Sequence, residues 1–155
     1  MIKTSLIIAL SIVLFLGCEN QDDESNYLDL GGDIFFSIVT DTLIDGQWTG
    51  ELSLLIATVD EWSCMNYLIE TDMDLIATAL KIDILGVTLP DGVCLTAFGP
   101  ATTKYNIVRL GSDFELEISH GSQTDEYHVT IADSAIVLPK SASFSEYRTF
   151  NHQDL

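Results

Sequence analysis

From Asp33 onward the chain alternates apolar and polar positions with a period of two, the spacing of side chains on a strand. Ile34, Phe36 and Ile38 alternate with Phe35, Ser37 and Val39, which predicts a strand over 33–40 covered on both faces. Asp45-Gly46 marks a turn, and 50–59 then sets Leu52, Leu54, Ile56 and Thr58 against Glu51, Ser53, Leu55, Ala57 and Val59 as a second strand. A shorter strand follows over 65–71. Residues 75–87 suit a helix by their Ala and Leu content, but Ile76, Ile82, Ile84 and Val87 favour one continuous strand.

Thr88-Leu89-Pro90-Asp91-Gly92 reads as a turn leading into a long connection over 93–103. In the C-terminal third, 104–110, 113–119 and 126–131 are three short strands, the first two forming a hairpin about Gly111-Ser112. Phe114, Leu116 and Ile118 alternate with Glu115 and Glu117, and Tyr127, Val129 and Ile131 with Glu126, His128 and Thr130. This is the pattern of an antiparallel sheet with one wet face. A last strand over 135–138 stops at Pro139, and 141–155 reads as an extended tail. Seven or eight short strands with regularly spaced turns predict an all-β domain, a single antiparallel β-sandwich over 33–140.

The segment Asp125-Glu126-Tyr127-His128-Val129 resembles the strand-opening segment of immunoglobulin and fibronectin type III domains. That resemblance implies a Tyr127 hydroxyl bonded across a corner of the sandwich. Cys94–Thr102 and Asp125–Ile131 also resemble parts of small bacterial lipoproteins carrying such a domain, a resemblance that implies no activity.

Ahead of the strands the pattern is different. Lys3 precedes an apolar run, Leu6–Gly17, that ends at Cys18. With 12 residues the run is shorter than the roughly 20 needed to span a bilayer, so it reads as an export signal over 1–17 and not as a spanning helix. Simple secretion would need only the small Gly17. Phe15-Leu16-Gly17-Cys18, however, resembles the lipobox of bacterial lipoproteins, which implies diacylglycerol on Cys18 and attachment to the membrane through that lipid. The following Glu19-Asn20-Gln21-Asp22-Asp23-Glu24-Ser25-Asn26 resembles the acidic stretch of surface-displayed lipoproteins of the Bacteroidota and implies an outer-membrane, surface-exposed location. By composition alone 18–32 is a flexible acidic tether.

Charge narrows the partners. Lys3 is the one charged residue before Cys18, so the mature chain sets 24 acidic residues against 5 basic, a formal −19. Such a field excludes nucleic acid and favours cationic partners or plain solubility. With Cys18 lipidated, Cys64 and Cys94 are the remaining pair, and export favours a disulfide over two buried thiols.

Catalytic motifs are lacking, and the chain is expected to be a binding or structural module, not an enzyme, with no cofactor and no metal. Its partner is expected to be an envelope protein or a glycan, with Trp48 and Trp62 as candidate ligand-binding residues. His120 and His128 would approach each other if their strands pair, which leaves a small metal-dependent hydrolase as one alternative. A protease inhibitor presenting 87–103 under the disulfide is another. Asp41 with Asp45, Asp60 with Glu61, and Asp72 with Asp74 are loop carboxylates of the kind that bind calcium, though none has EF-hand spacing.

Overall fold

The computed structural model describes residues 27–40, 52–89, 94–95, 97–107, 112–132 and 135–149. Nine strands run through them: β1 (Ile34–Thr40), β2 (Leu52–Trp62), β3 (Leu68–Ile76), β4 (Ala79–Thr88), β5 (Gly99–Asn106), β6 (Asp113–His120), β7 (Gln123–Ile131), β8 (Ala135–Ser141) and β9 (Ser145–Tyr147). No helix occurs among the described residues. The all-β expectation holds, but the antiparallel seven- or eight-stranded sandwich does not. The strands form one mixed sheet in the order β8-β7-β6-β4-β3-β5-β2-β1-β9.

Three of its neighbour pairs are parallel: β1 with β9, β4 with β6, and β3 with β5. Parallel neighbours need crossover connections. Between β4 and β6 the chain leaves that half of the sheet and lays β5 antiparallel on β2, with Leu54 opposite Tyr105. The hairpin expected about Gly111-Ser112 therefore does not form. β6 instead pairs with β7, Leu116 facing Tyr127, around a turn in which Gly121 takes a φ of 58°.

The sheet curls until its two halves share one core. Ile34, Phe36, Leu54 and Ile56 from one half meet Leu80, Ile82, Phe114, Leu116, Ile118 and Val129 from the other, all almost fully buried. Where the far edges approach, the ring of Tyr127 on β7 meets Phe36 on β1 edge-on at 4.8 Å. These are the inward residues of the alternating segments, and their burial is the main source of stability.

Several boundaries differ from the sequence expectation. The stretch 75–87 is not one strand: β3 turns at Ala77-Thr78 into β4, so Ile76 faces Ala79 and is half exposed, while Leu80, Ile82 and Ile84 are buried. Residues 27–32, counted above with the tether, also lie against the sheet. Leu28 exchanges backbone hydrogen bonds with Val87, at 2.8 and 2.9 Å, and Leu30 is buried. At the other end β9 pairs with β1, and Phe144 and Ser145 are buried, so 141–149 belong to the fold.

Candidate functional site

On the outer face of β3, β4 and β6 the pleat brings polar residues into rows. Asp74, Lys81 and Glu117 stand side by side across the three strands, and Asp72, Asp83 and Ser119 form the next row. The residues between them in sequence, Ile82 and Ile118, are turned into the core. Together with Ile82 these six residues line a groove of about 200 Å³.

Four carboxylates and one ammonium give the groove a formal charge of −3. Lys81 Nζ pairs with Glu117 Oε2 at 2.6 Å, and Ser119 Oγ donates to Asp83 Oδ1 at 3.0 Å. The side chains of Asp72 and Asp74 make no hydrogen bond or ion pair among the described residues. Asp72 lies directly opposite Asp83 in the ladder. Like charges in facing positions are destabilising, so this pair works against the fold that carries it.

The groove ends at an open margin. β3 meets β5 at a single position, Leu68 opposite Thr102. Beyond it the two strands are bridged by side chains, Thr71 Oγ1 to Tyr105 Oη at 2.6 Å. From Asp72 to Ile76, β3 has β4 on one side and no ladder partner among the described residues on the other. Met73 and Leu75, on the core-side face, are 39% and 45% exposed.

No protein-family model, curated protein or solved structure matches this chain.

The residues singled out by sequence fall in several places. Cys18 and Trp48 lie outside the described residues, as do Asp41 and Asp45. Cys64 and Cys94 form a disulfide, with their Cα atoms 5.4 Å apart. Trp62 ends β2 half-buried: its ring leans on Tyr67 with centroids 5.0 Å apart, and its Nε1 donates to Thr58 Oγ1 at 3.2 Å. That side chain is occupied by packing. The exposed aromatic of this end is Phe98, 74% accessible, next to the disulfide-linked segment.

The two histidines do not meet. Their strands pair as expected, but His120 faces Gln123 while His128 faces Glu115. Five residues of ladder therefore separate them, roughly 17 Å at about 3.4 Å per residue. His120 Nδ1 donates to Ile84 O at 2.9 Å, and His128 Nδ1 donates to Glu115 Oε1 at 3.1 Å. A hydrogen bond from Lys140 holds the Glu115 carboxyl below its ordinary range; slight desolvation opposes this and the His128 contact reinforces it. Among the described residues no three His, Cys, Asp or Glu side chains are placed to hold a metal.

Asp125 was missed by sequence. Its parity places it with Tyr127 and Val129 on the inward face of β7, and it is fully buried. Its Oδ1 accepts from Ser143 N and Oγ at 2.7 and 2.8 Å, and its Oδ2 from Phe144 N, Ser145 N and Ser145 Oγ at 3.0, 2.7 and 2.6 Å. Burial alone would raise its pKa, but the five hydrogen bonds outweigh burial and hold it below the ordinary value. Tyr127 Oη donates to Ser145 O at 2.6 Å. That bond reaches the first residue of β9, 18 residues downstream, and does not run back across a nearby corner as the resemblance implied. The cluster locks the end of the chain onto the sheet and is structural.

Proposed function

We propose that this chain is a lipid-anchored cell-envelope protein, attached to the outer membrane through Cys18 and surface-displayed, whose β-domain binds a cationic protein partner through the groove of β3, β4 and β6. The observation that carries the binding assignment is the facing Asp72–Asp83 pair beside Asp74, whose facing lysine, Lys81, is engaged by Glu117. A surface selected for stability alone avoids such a pair, whereas a bound cation relieves it. The lipobox Phe15–Cys18 and the acidic residues after it support the anchor. A glycan fits the groove less well, since none of its lining residues is aromatic and so no ring face is offered to a sugar. The hydrolase alternative loses its geometric basis with the separation of His120 from His128.

A second reading, the exported protease inhibitor, is favoured by one observation. Leu95 and Phe98 are exposed on a segment held by the disulfide and by Leu95 N donating to Asn66 Oδ1 at 3.2 Å. Reduction and alkylation of the cysteines should abolish any inhibition; undiminished inhibition contradicts this reading.

The anchor is tested by labelling cells with an alkyne fatty acid, which should mark the wild-type chain and not Cys18→Ala. The groove is tested by fluorescence anisotropy of hexalysine with residues 19–155. Binding should weaken with added salt and fall about 3- to 10-fold in Asp72→Asn/Asp74→Asn, as expected for two partly screened charge contacts. An unlabelled wild type overturns the anchor. Salt-independent binding, or binding unchanged in the double variant, overturns the groove.

A further inference from the structure

The open margin of β3 adds a mode of recognition to the acidic groove. We infer that the edge from Asp72 to Ile76 takes up a β-strand of a protein partner whose side chains alternate basic and apolar. This inference rests on the groove reading above. A strand laid along that edge would meet two different surfaces on its two faces. On the outer face its side chains would stand beside Asp72 and Asp74, at the mouth of the groove that continues to Asp83 and Glu117. On the inner face they would stand beside Met73 and Leu75, which the described residues leave 39% and 45% exposed. The period of two that separates these surfaces on β3 is the period the partner must carry.

The outer edge of β8 is guarded differently: that strand, the outermost at one end, carries Pro139 and Lys140. Proline removes a donor from the ladder and lysine is the commonest charge used to blunt an edge. Between Asp72 and Ile76 there is neither proline nor lysine. The carboxylates there select by sign. A second copy pairing antiparallel through the same edge would set Asp72 and Asp74 against their own kind, which disfavours self-association. A basic strand reverses that term, and at a formal −19 for the mature chain its approach is favoured from a distance. The edge without a ladder partner among the described residues spans five residues, about the usual length of a strand.

The test uses residues 19–155 and three labelled peptides of one residue composition: acetyl-KVKVKVK-amide, its block isomer KKKKVVV, and the alternating peptide N-methylated at every internal residue. Strand addition predicts that the alternating peptide binds about tenfold or more tighter than either control, because only it offers both the pattern and the backbone donors. It also predicts that Met73→Lys, a solvent-accessible substitution that adds like charge on the apolar face, weakens the alternating peptide about tenfold while leaving the block peptide within about twofold. Thermal unfolding of the variant confirms that it is folded. If all three peptides bind alike and salt-dependently, strand addition is overturned while the acidic groove stands. If none binds at low salt, both are overturned.

Discussion

Replacing Asp125 by asparagine removes one charge and almost no volume, so its effect isolates the hydrogen bonds of a buried carboxylate. Two oxygens accept five bonds from Ser143, Phe144 and Ser145. An amide has one acceptor oxygen and presents its NH₂ to the remaining donors. Placing the amide oxygen at Oδ2 serves Phe144 and Ser145 but turns the NH₂ toward Ser143 N; the opposite rotamer leaves two buried backbone N–H groups facing an amino group. Ser143 Oγ and Ser145 Oγ can rotate away. The better rotamer thus loses one charge-assisted bond to a fixed donor, Ser143 N, at a cost of about 1.5–3 kcal/mol. That is a large part of the roughly 5–15 kcal/mol total stability of a domain. With a urea m-value near 1.5–2 kcal/mol/M, it moves the unfolding midpoint down by about 1 M. The pH dependence follows from the depressed pKa. Above the ordinary aspartate value of 3.8 both folded and unfolded states are ionised at this site, and the full contribution is present. As pH falls, the unfolded chain takes up the proton first, so the contribution declines and is lost once pH passes the folded-state value. Wild type should therefore lose more stability than Asp125→Asn between pH 6 and pH 3. A midpoint within about 0.5 M of wild type, or parallel acid limbs, would refute the reasoning.

Gly86→Ala should cost about 2–4 kcal/mol, since Gly86 sits at φ 144° and a Cβ there would lie 2.6 Å from Leu28 O and 2.8 Å from Tyr27 Cβ; thermal unfolding measures it, and an unchanged midpoint contradicts the docking of 27–32. Ala77→Gly should raise stability by about 0.5–1 kcal/mol, because Ala77 pays for a φ of 53° that glycine adopts freely; a loss in urea titration contradicts this turn. Cys64→Ala/Cys94→Ala should lose about 3.5 kcal/mol, the chain-entropy value for a separation of 30 residues, with the urea midpoint as the readout.

Much of the core was legible because its signal is local. The alternations at Leu54–Ile56, Phe114–Ile118 and Tyr127–Val129 each turn the same residues inward as in the structure. Strand order was not legible, since alternation says which face a residue takes and nothing about which strand lies beside it. The resemblance to an immunoglobulin-type sandwich supplied an antiparallel order that the parallel β4–β6 and β1–β9 pairs replace. The β3–β4 turn was hidden because Ala77-Thr78 lacks glycine, asparagine and aspartate, the residues that ordinarily mark a positive φ. The serine-rich Ser141–Ser145 reads as loop, and its order comes from a distant carboxylate, Asp125. The groove was half visible. Asp72 and Asp74 stand out in the sequence as a pair, but only register adds Asp83 and Glu117 and leaves the edge of β3 open.

Recognition at that edge is read most directly by amide hydrogen exchange on residues 19–155, free and with saturating acetyl-KVKVKVK-amide. Strand addition slows exchange at amides between Asp72 and Ile76 that face away from β4 and leaves β8 and β9 unchanged. Exchange in β3 that is the same with and without bound peptide, or slowing confined to β8, would contradict it.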